Sequence, residues 1–528
     1  MGGSLGPADF GVERFTVSAV LDRRAEQFPD RVMMSIAGVE VTFAQMRERS
    51  RAAANTLTGL GVGRGDCVAL FTSTCAEWVY FWLGAAHIGA VGAAVNAANK
   101  GEFLAHALRL SRATVILTDA ALRPRVDEVA GGLDASTYVV VRDDWRPKEQ
   151  TAHAAGPESA PGEVGALFFT SGTTGPSKAV AVSWDYLFSV AATVASAWEF
   201  AAGEVLWTAM PLFHLSAAPS VLAPMLVGGT TVLAGAFHPA RVWDDVRAHR
   251  AVGFFGAGAM VSMLQGLPAD ARDGQLGLRF ISAAPIAASA YREIEKRYGC
   301  RIVTMYGMTE AFPIAVKGVA DDGVPGSSGS PNPDFDVRIV DGDGSPVAVG
   351  TVGEIACRPR RPGVMSEGYV QQGGSQGLGV IPHSEWFRTG DLGRLDDSGE
   401  RGPQLIYVDR LKDSLRRRGE NVSSVEVEAV VMGHPAVAEA AAVGVPSELG
   451  EDDILVVVVP RAGASLDCAE LLDYCSTRMP YFCVPRFVET TDELPKNVIG
   501  RVRKDLLRAR GRGPNCWDRD EHNYVLER

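Results

Sequence analysis

The sequence has no unbroken apolar run of membrane-spanning length, no excess of positive charge and no cysteine pairing pattern. Its most apolar stretch, residues 78–98, is interrupted by His87 and three glycines, so it predicts a buried helix followed by a strand rather than a membrane span. Lysine and arginine number 51 against 63 aspartate and glutamate, a formal net charge of −12, and nucleic acid is therefore not expected as the main partner. The eight cysteines (67, 75, 300, 357, 468, 475, 483 and 516) contain no Cys-x-x-Cys spacing. That argues against a disulfide framework or a zinc site and for a reducing cytosol. No charged segment followed by an apolar one opens the chain, so no signal peptide is expected, and Gly6 breaks the myristoylation pattern that Met1-Gly2 begins. The expectation is a cytoplasmic protein without an integral membrane segment.

What is present is length and alternation. At 528 residues the chain exceeds one hydrophobic core and calls for about three or four folding units. Apolar spacing predicts a helix over 16–29, a hairpin over 32–42 around Gly38, and a long amphipathic helix over 43–60. Strands and helices then alternate: 67–71, 78–88, 91–95, 101–110, 114–118, 122–128 and 137–141. After a polar, Pro- and Gly-rich connector at 143–162, alternation resumes over 183–255. This predicts an α/β fold with parallel sheets covered by helices. From Asn332 the strands are short and separated by turns, as in a small β-barrel-like unit. After Asp409 a compact α+β pattern begins. The division expected is a large N-terminal domain over 1–409, made of two αβ subdomains and the β unit, and a small mobile C-terminal domain over 410–528. The run Gly59-Leu60-Gly61-Val62-Gly63-Arg64-Gly65 follows a helix and precedes a strand, the reverse of a dinucleotide fingerprint, and is read as a turn.

The most informative segment is Thr170-Ser171-Gly172-Thr173-Thr174-Gly175-Pro176-Ser177-Lys178, directly after the apolar run 164–169. A hydroxyl- and glycine-rich segment after a strand is ordinarily only a loop. Here, glycines that let backbone N–H groups crowd an anion, hydroxyl donors and one lysine together suit a polyphosphate. The spacing is not that of a Walker loop, since Gly172 and Gly175 are too close and Ala179 follows the lysine. Downstream, Tyr306-Gly307-Met308-Thr309-Glu310 follows a strand ending at Thr304, where a Tyr-Gly turn is expected. An aromatic there can stack on a flat base, and an acid can hold Mg²⁺ against phosphate oxygens. Arg388-Thr389-Gly390-Asp391 is read as a turn bearing an acid, and the basic cluster 410–418 by itself as a solvated face.

These motifs, in this order, resemble the adenylate-forming superfamily of acyl-CoA synthetases, luciferases and adenylation domains. The likeness runs from about Thr16 to the C-terminus. Gly419-Glu420-Asn421-Val422-Ser423 and the tail 514–519 are similar to the carnitine-CoA-ligase-like and fatty-acid-transporter-like branch. The resemblance implies an AMP-forming ligase that uses ATP, Mg²⁺ and CoA on a small-molecule carboxylic acid. It assigns Thr170, Ser171, Gly172, Thr173, Thr174, Gly175 and Lys178 to the phosphates, and Thr309 and Glu310 to catalysis, with Glu310 as metal ligand. Ala283, Ala284, Pro285, Tyr306, Gly307 and Met308 border the nucleotide, Asp391 takes the ribose hydroxyls, and Arg410 touches ribose or phosphate. Lys412 is the implied hinge, and Arg416, Gly419 and Glu420 belong to a segment that enters the site for the second half-reaction. His214, within Pro211-Leu212-Phe213-His214, borders the acyl pocket. A histidine after an apolar run is more often structural; its neighbours favour the pocket role.

One position departs from the pattern. Arg501 stands where the superfamily has a lysine that bridges carboxylate and α-phosphate during adenylation, and arginine keeps the charge but not the compact shape. Either Arg501 substitutes, Lys496 or Lys504 reaches in, or adenylation is weakened. Residues 254–262 are mostly small and apolar and suit an uncharged acyl group, because an ammonium would require a carboxylate partner. Carrier-protein loading, amide formation or nitrite activation are the alternative chemistries, a non-catalytic nucleotide- or acyl-binding protein is the other class, and a homodimer is among the expected assemblies.

Overall fold

The computed structural model describes residues 5–526 except 135, 148–157, 161, 171–175, 216–217, 285, 287, 323, 372–378, 398–401, 411–414, 418–419, 423, 448–449 and 496–501. The expected alternation appears with boundaries shifted by a few residues. The first helix is Val17–Gln27, capped by the Thr16 side chain. The second, Phe43–Gly59, starts with a capping box in which Thr42 and Gln45 exchange hydrogen bonds, which satisfies two donors that a helix start leaves open.

Two large mixed sheets carry the N-terminal domain. One has nine described strands and the other eight. In the first, Val32–Ile36, Thr230–Leu233, Val205–Thr208, Gly253–Phe255, Phe280–Ser282 and Arg301–Met308 run parallel. In the second, Val91–Ala94, Cys67–Phe71, Ala113–Thr118 and Tyr138–Val141 are parallel, with Val164–Thr170 parallel beside Val91–Ala94. Antiparallel strands complete the edges. Lys178–Ser183 pairs with Val164–Thr170, and Gly368–Gln371 pairs with Lys178–Ser183.

The main core lies between these sheets. Helices Val17–Gln27, Phe43–Gly59, Ala76–His87, Trp184–Ala197 and Ala218–Val227 pack on residues of both sheets in one apolar cluster. Sequence explains why: Ala76–His87 and Trp184–Ala197 are apolar on nearly every side, the signature of a helix buried all round. Helices with one apolar stripe, such as Pro239–Ala248 and Gly101–Ser111, cover the outer faces. The connector after 142 is less superficial than expected, since Trp145 packs edge-on against Phe81 and donates to Thr56.

The third unit is an antiparallel sheet of Phe335–Val340, Gly353–Pro359, Phe387–Asp396 and Gln404–Arg410. The smaller C-terminal domain has a four-stranded sheet with Ser424–Met432 and Cys468–Ser476 on one face and Lys504–Arg510 on the other. Among the described residues no helix is long and apolar enough to cross a membrane.

Candidate functional site

The chemistry-bearing residues gather at the carboxyl ends of parallel strands, where open α/β sheets bind ligands. Thr170 ends its strand and stands opposite Lys178 across the antiparallel pair. Residues 171–175 of the segment between them lie outside the described residues. Lys178 Nζ is 4.9 Å from the centre of the Tyr369 ring.

Glu310 occupies the turn between Arg301–Met308 and Ala311–Lys317 and is only 7% exposed. Its carboxylate accepts the Tyr369 hydroxyl at 2.7 Å, and its carbonyl accepts Ser366 N–H at 2.9 Å. The Thr309 carbonyl accepts the buried Tyr186 hydroxyl at 3.2 Å. The expected Tyr-Gly turn is corrected here. The strand runs on through Tyr306, Gly307 and Met308 with a register shift, and the turn falls at Thr309-Glu310. Packing decides this: a Cβ on Gly307 would sit 2.5 Å from the Ala311 carbonyl oxygen, so the two strands approach over a glycine that sequence reasoning assigns to a turn.

The second expected turn is corrected in the same way. Arg388, Thr389, Gly390 and Asp391 lie inside the strand Phe387–Asp396, and Asp391 is buried, 6% exposed. Its carboxylate accepts the Tyr306 hydroxyl at 2.9 Å. Burial, then the charge of Asp391, pushes the Tyr306 phenol well above its ordinary pKa, so it remains a donor. Asp391 is paired with Arg410 across the adjoining strand, which brings a third expected residue to the same edge.

Ala283 follows the strand Phe280–Ser282, is buried, and donates from its N–H to the Val303 carbonyl. Gly256 N–H donates to Ser282 and Gly258 N–H to Ala284. The small residues of 254–262 therefore let this backbone press against 282–284. Phe254 and Phe255 point into the two cores instead.

Among the described residues, polar contacts at three places, with Ala98 and Phe103 packed against the C-terminal core, tie the C-terminal domain to the large one. His214 Nε2 and Glu420 Oε2 are 2.6 Å apart. Ser177 N–H, beside Lys178, donates to Glu426 Oε1 at 2.5 Å, while the Ser177 carbonyl meets His106 Nε2 at 2.8 Å. Lys100 Nζ donates to the Ser476 carbonyl at 2.9 Å. Burial raises the Glu426 carboxyl to about 7, partly offset by its hydrogen bonds from Ser177.

Of the expected residues, Ser171, Gly172, Thr173, Thr174, Gly175, Pro285, Lys412, Gly419 and Arg501 lie outside the described residues. Arg416 lies in the strand Leu415–Arg417. The suggestion that Lys504 reaches the site is not met in this arrangement: its ammonium is 2.6 Å from Glu428 and 2.8 Å from Ser424, within the C-terminal domain. Sequence reasoning missed Tyr369 and Glu426. Neither sits in a motif, and only strand pairing and domain packing bring them to the loop.

A model for the AMP-binding enzyme matches residues 21–370, and one for the AMP-binding enzyme C-terminal domain matches 426–501. The chain belongs to the AMP-binding enzyme family. A crotonobetaine/carnitine–CoA ligase from Salmonella paratyphi A is 28% identical over 517 residues, covering 92% of this chain and 98% of the relative. Among solved structures, an o-succinylbenzoate CoA synthetase from Bacillus subtilis, bound with a product analogue, superposes with a TM-score of 0.80 at 24% identity, over 93% of this chain and 98% of that one. An amide bond synthetase from Marinactinospora thermotolerans gives 0.78 at 25% identity, over 93% and 99%. The superfamily and fold expected from the motifs are therefore met, with an AMP-binding enzyme in place of a merely ligand-binding protein.

Proposed function

We propose that this enzyme is an ATP-dependent acyl-CoA ligase. The observation that carries this reading is the convergence of Lys178, Glu310 and the Tyr306–Asp391 pair at one edge of the sheets, within a family of AMP-binding enzymes. Lys178 and the loop 170–175 hold the β- and γ-phosphates. Asp391 takes the ribose, with Arg410 beside it, and Tyr306 fixes the Asp391 carboxylate by its hydroxyl. The segment at 283–285 borders the base.

Among the described residues no three His, Cys, Asp or Glu side chains form a metal cage. A single buried carboxylate next to a phosphate loop is nonetheless the donor set that Mg²⁺ uses with nucleotides, and Glu310 fits it. Mg²⁺ held there would neutralise charge on the phosphates.

In the first half-reaction a carboxylate oxygen of the acid attacks the α-phosphorus of ATP, the bond to the β-phosphate oxygen breaks, and acyl-AMP and pyrophosphate result. The residues contribute by positioning and by neutralising charge on the transferring group. In the second, the CoA sulfur attacks the acyl carbonyl, AMP leaves with the electron pair of the broken C–O bond, and the thiol proton passes to solvent. The C-terminal domain, turning near Lys412 at the boundary between 409 and 410, brings Glu420 to His214 for this step, and the hydrogen-bonded pair at 2.6 Å supports that assignment. The acid is a small molecule with an uncharged acyl group, and the compartment is cytoplasmic.

Likeness to the amide bond synthetase supports a second reading, in which an amine replaces the thiol. One experiment tests both. ATP and a panel of acids are offered with CoA, an amine or a carrier protein in competition, pyrophosphate is measured, and products are identified by mass. Thioester as the main product is expected. Folded protein that releases no pyrophosphate with any acid would overturn the proposal, and amide as the main product would select the second reading.

A further inference from the structure

Gly368-Tyr369-Val370-Gln371 is a short strand nearly two hundred residues beyond Lys178, yet it brings a side chain to that lysine. Its register fixes how. Gly368 lies opposite Ala181 and Tyr369 opposite Val180. Strand side chains alternate, so Lys178, two residues before Val180, shares a face with Tyr369 and is its diagonal neighbour. The start of the strand tolerates only glycine. Gly368 has φ of 132°, and a Cβ there would lie 2.0 Å from the Ile381 carbonyl oxygen. One turn of chain earlier, Ser366 N–H is bound to the Glu310 carbonyl. The backbone around Tyr369 is thus tied at once to the strand of Lys178 and to the turn of Glu310.

The tyrosine side chain is gripped as well. Its ring meets the Lys178 ammonium on a face at 4.9 Å and His383 edge-on at 5.3 Å, and His383 is held by Ser366 Oγ at 2.8 Å from Nε2 and by Phe387. Burial lowers the His383 pKa to about 4, so His383 adds no charge beside the ring at neutral pH. The Tyr369 hydroxyl donates to the Glu310 carboxylate at 2.7 Å. A ring that attracts a cation and a hydroxyl that satisfies a buried carboxylate are two separable functions on one side chain.

We infer that Tyr369 is the positioning residue of the metal and phosphate groups: its hydroxyl orients the Glu310 carboxylate for the metal, and its ring holds Lys178 for the phosphates. This rests on the roles given to Glu310 and Lys178 under the proposed function. It accounts for a feature no motif explains, namely why a residue from a third strand separates the phosphate lysine from the metal acid.

Three variants of the full chain pull the two functions apart. Tyr369→Phe keeps the ring and loses the donor, Tyr369→Gln keeps a donor and loses the ring, and Tyr369→Leu loses both. Mn²⁺ binding in the presence of a non-hydrolysable ATP analogue is followed by the paramagnetic resonance signal of the free ion. Binding of the same analogue in EDTA is measured by calorimetry. For Tyr369→Phe the expectation is Mn²⁺ binding weakened about tenfold, the loss typical of one hydrogen bond to a charged group, with metal-free nucleotide binding unchanged. For Tyr369→Gln the pattern reverses, and Tyr369→Leu shows both losses. A purely structural role would move both affinities together in all three variants and would overturn the inference. So would Phe and Gln variants that bind Mn²⁺ and nucleotide like the natural chain. If the natural chain itself binds neither, the reading of the whole site falls and this inference with it.

Discussion

The floor of the site and its lid are built on different physical terms. In the large domain, Tyr306 with Asp391 is a buried hydrogen-bonded pair and Tyr369 with Glu310 a part-buried one, and their backbones lie in paired strands or the turn between them. Across the domains, the contacts among the described residues include a few polar bonds, His214 to Glu420, Ser177 to Glu426 and Lys100 to Ser476, with side chains that retain some exposure, and the packing of Ala98 and Phe103 against the C-terminal core. Strand register cannot be changed without unpairing a sheet, whereas a handful of polar bonds can be exchanged for water at small net cost. Under the proposed function, the difference separates the half of the site that is fixed before substrate arrives from the half that is exchanged during turnover.

That contrast can be broken at four points, in falling order of effect. Removing charge from the fixed half should cost most. Lys178→Ala and Glu310→Gln should each lower pyrophosphate release by roughly 10²–10³-fold, the range for losing one preorganised electrostatic partner, in a single-turnover assay with the acid saturating. A drop of less than threefold would remove either residue from its role.

Next is the buried pair. Asp391→Ala strands the Tyr306 hydroxyl without its acceptor in a site that is 7% exposed. The expected loss is about 1–3 kcal/mol of stability, read by urea unfolding, together with a higher KM for ATP. Tyr306→Phe in the same background should recover part of the stability but none of the KM.

The lid should behave in the opposite way. Glu420→Gln and His214→Ala should slow thioester formation from acyl-AMP by about tenfold, the equivalent of one modest charged contact. They should leave the burst of pyrophosphate, and the unfolding midpoint, close to those of the natural chain. Equal losses in both half-reactions would erase the distinction between floor and lid.

The smallest effect is a pH dependence. Burial raises the Glu426 carboxyl from its ordinary value of 4.5 to about 7 in the folded chain. A raised acid pKa favours the protonated form, so the docked contact is strongest below about 4.5 and weakens as pH rises through 7. Cleavage by a protease near the domain boundary between 409 and 410 should be slower at pH 6 than at pH 8 after correction for protease activity. Glu426→Gln, which mimics the protonated acid, should flatten that difference.

The order of helices and strands was legible because local spacing dictates it, and the apolar run 164–169 and the start of the strand at 301 needed no tertiary information. The two misread turns share a cause. Gly307 and Gly390 look like turn residues, but each lies within a strand, and at Gly307 the crowding of Ala311 and Phe312 explains why no side chain is present. Tyr369 and Glu426 were invisible for another reason. A tyrosine in a four-residue strand and a glutamate in the first turn of a helix have ordinary local explanations, and only a partner far along the chain gives them meaning.

The sequence by itself determined the type of site: a hydroxyl-rich loop with Lys178, the acid Glu310, the order of motifs and the arginine at 501. Those are properties of short segments, set by backbone freedom, charge and spacing. Tertiary structure alone decided the junctions: Tyr306 with Asp391 across 85 residues, His214 with Glu420 across 206, and Tyr369 reaching both Lys178 and Glu310. The physical reason is that side-chain contacts depend on which strands pair and in what register, and that pairing is chosen by burial over the whole chain rather than by any local signal.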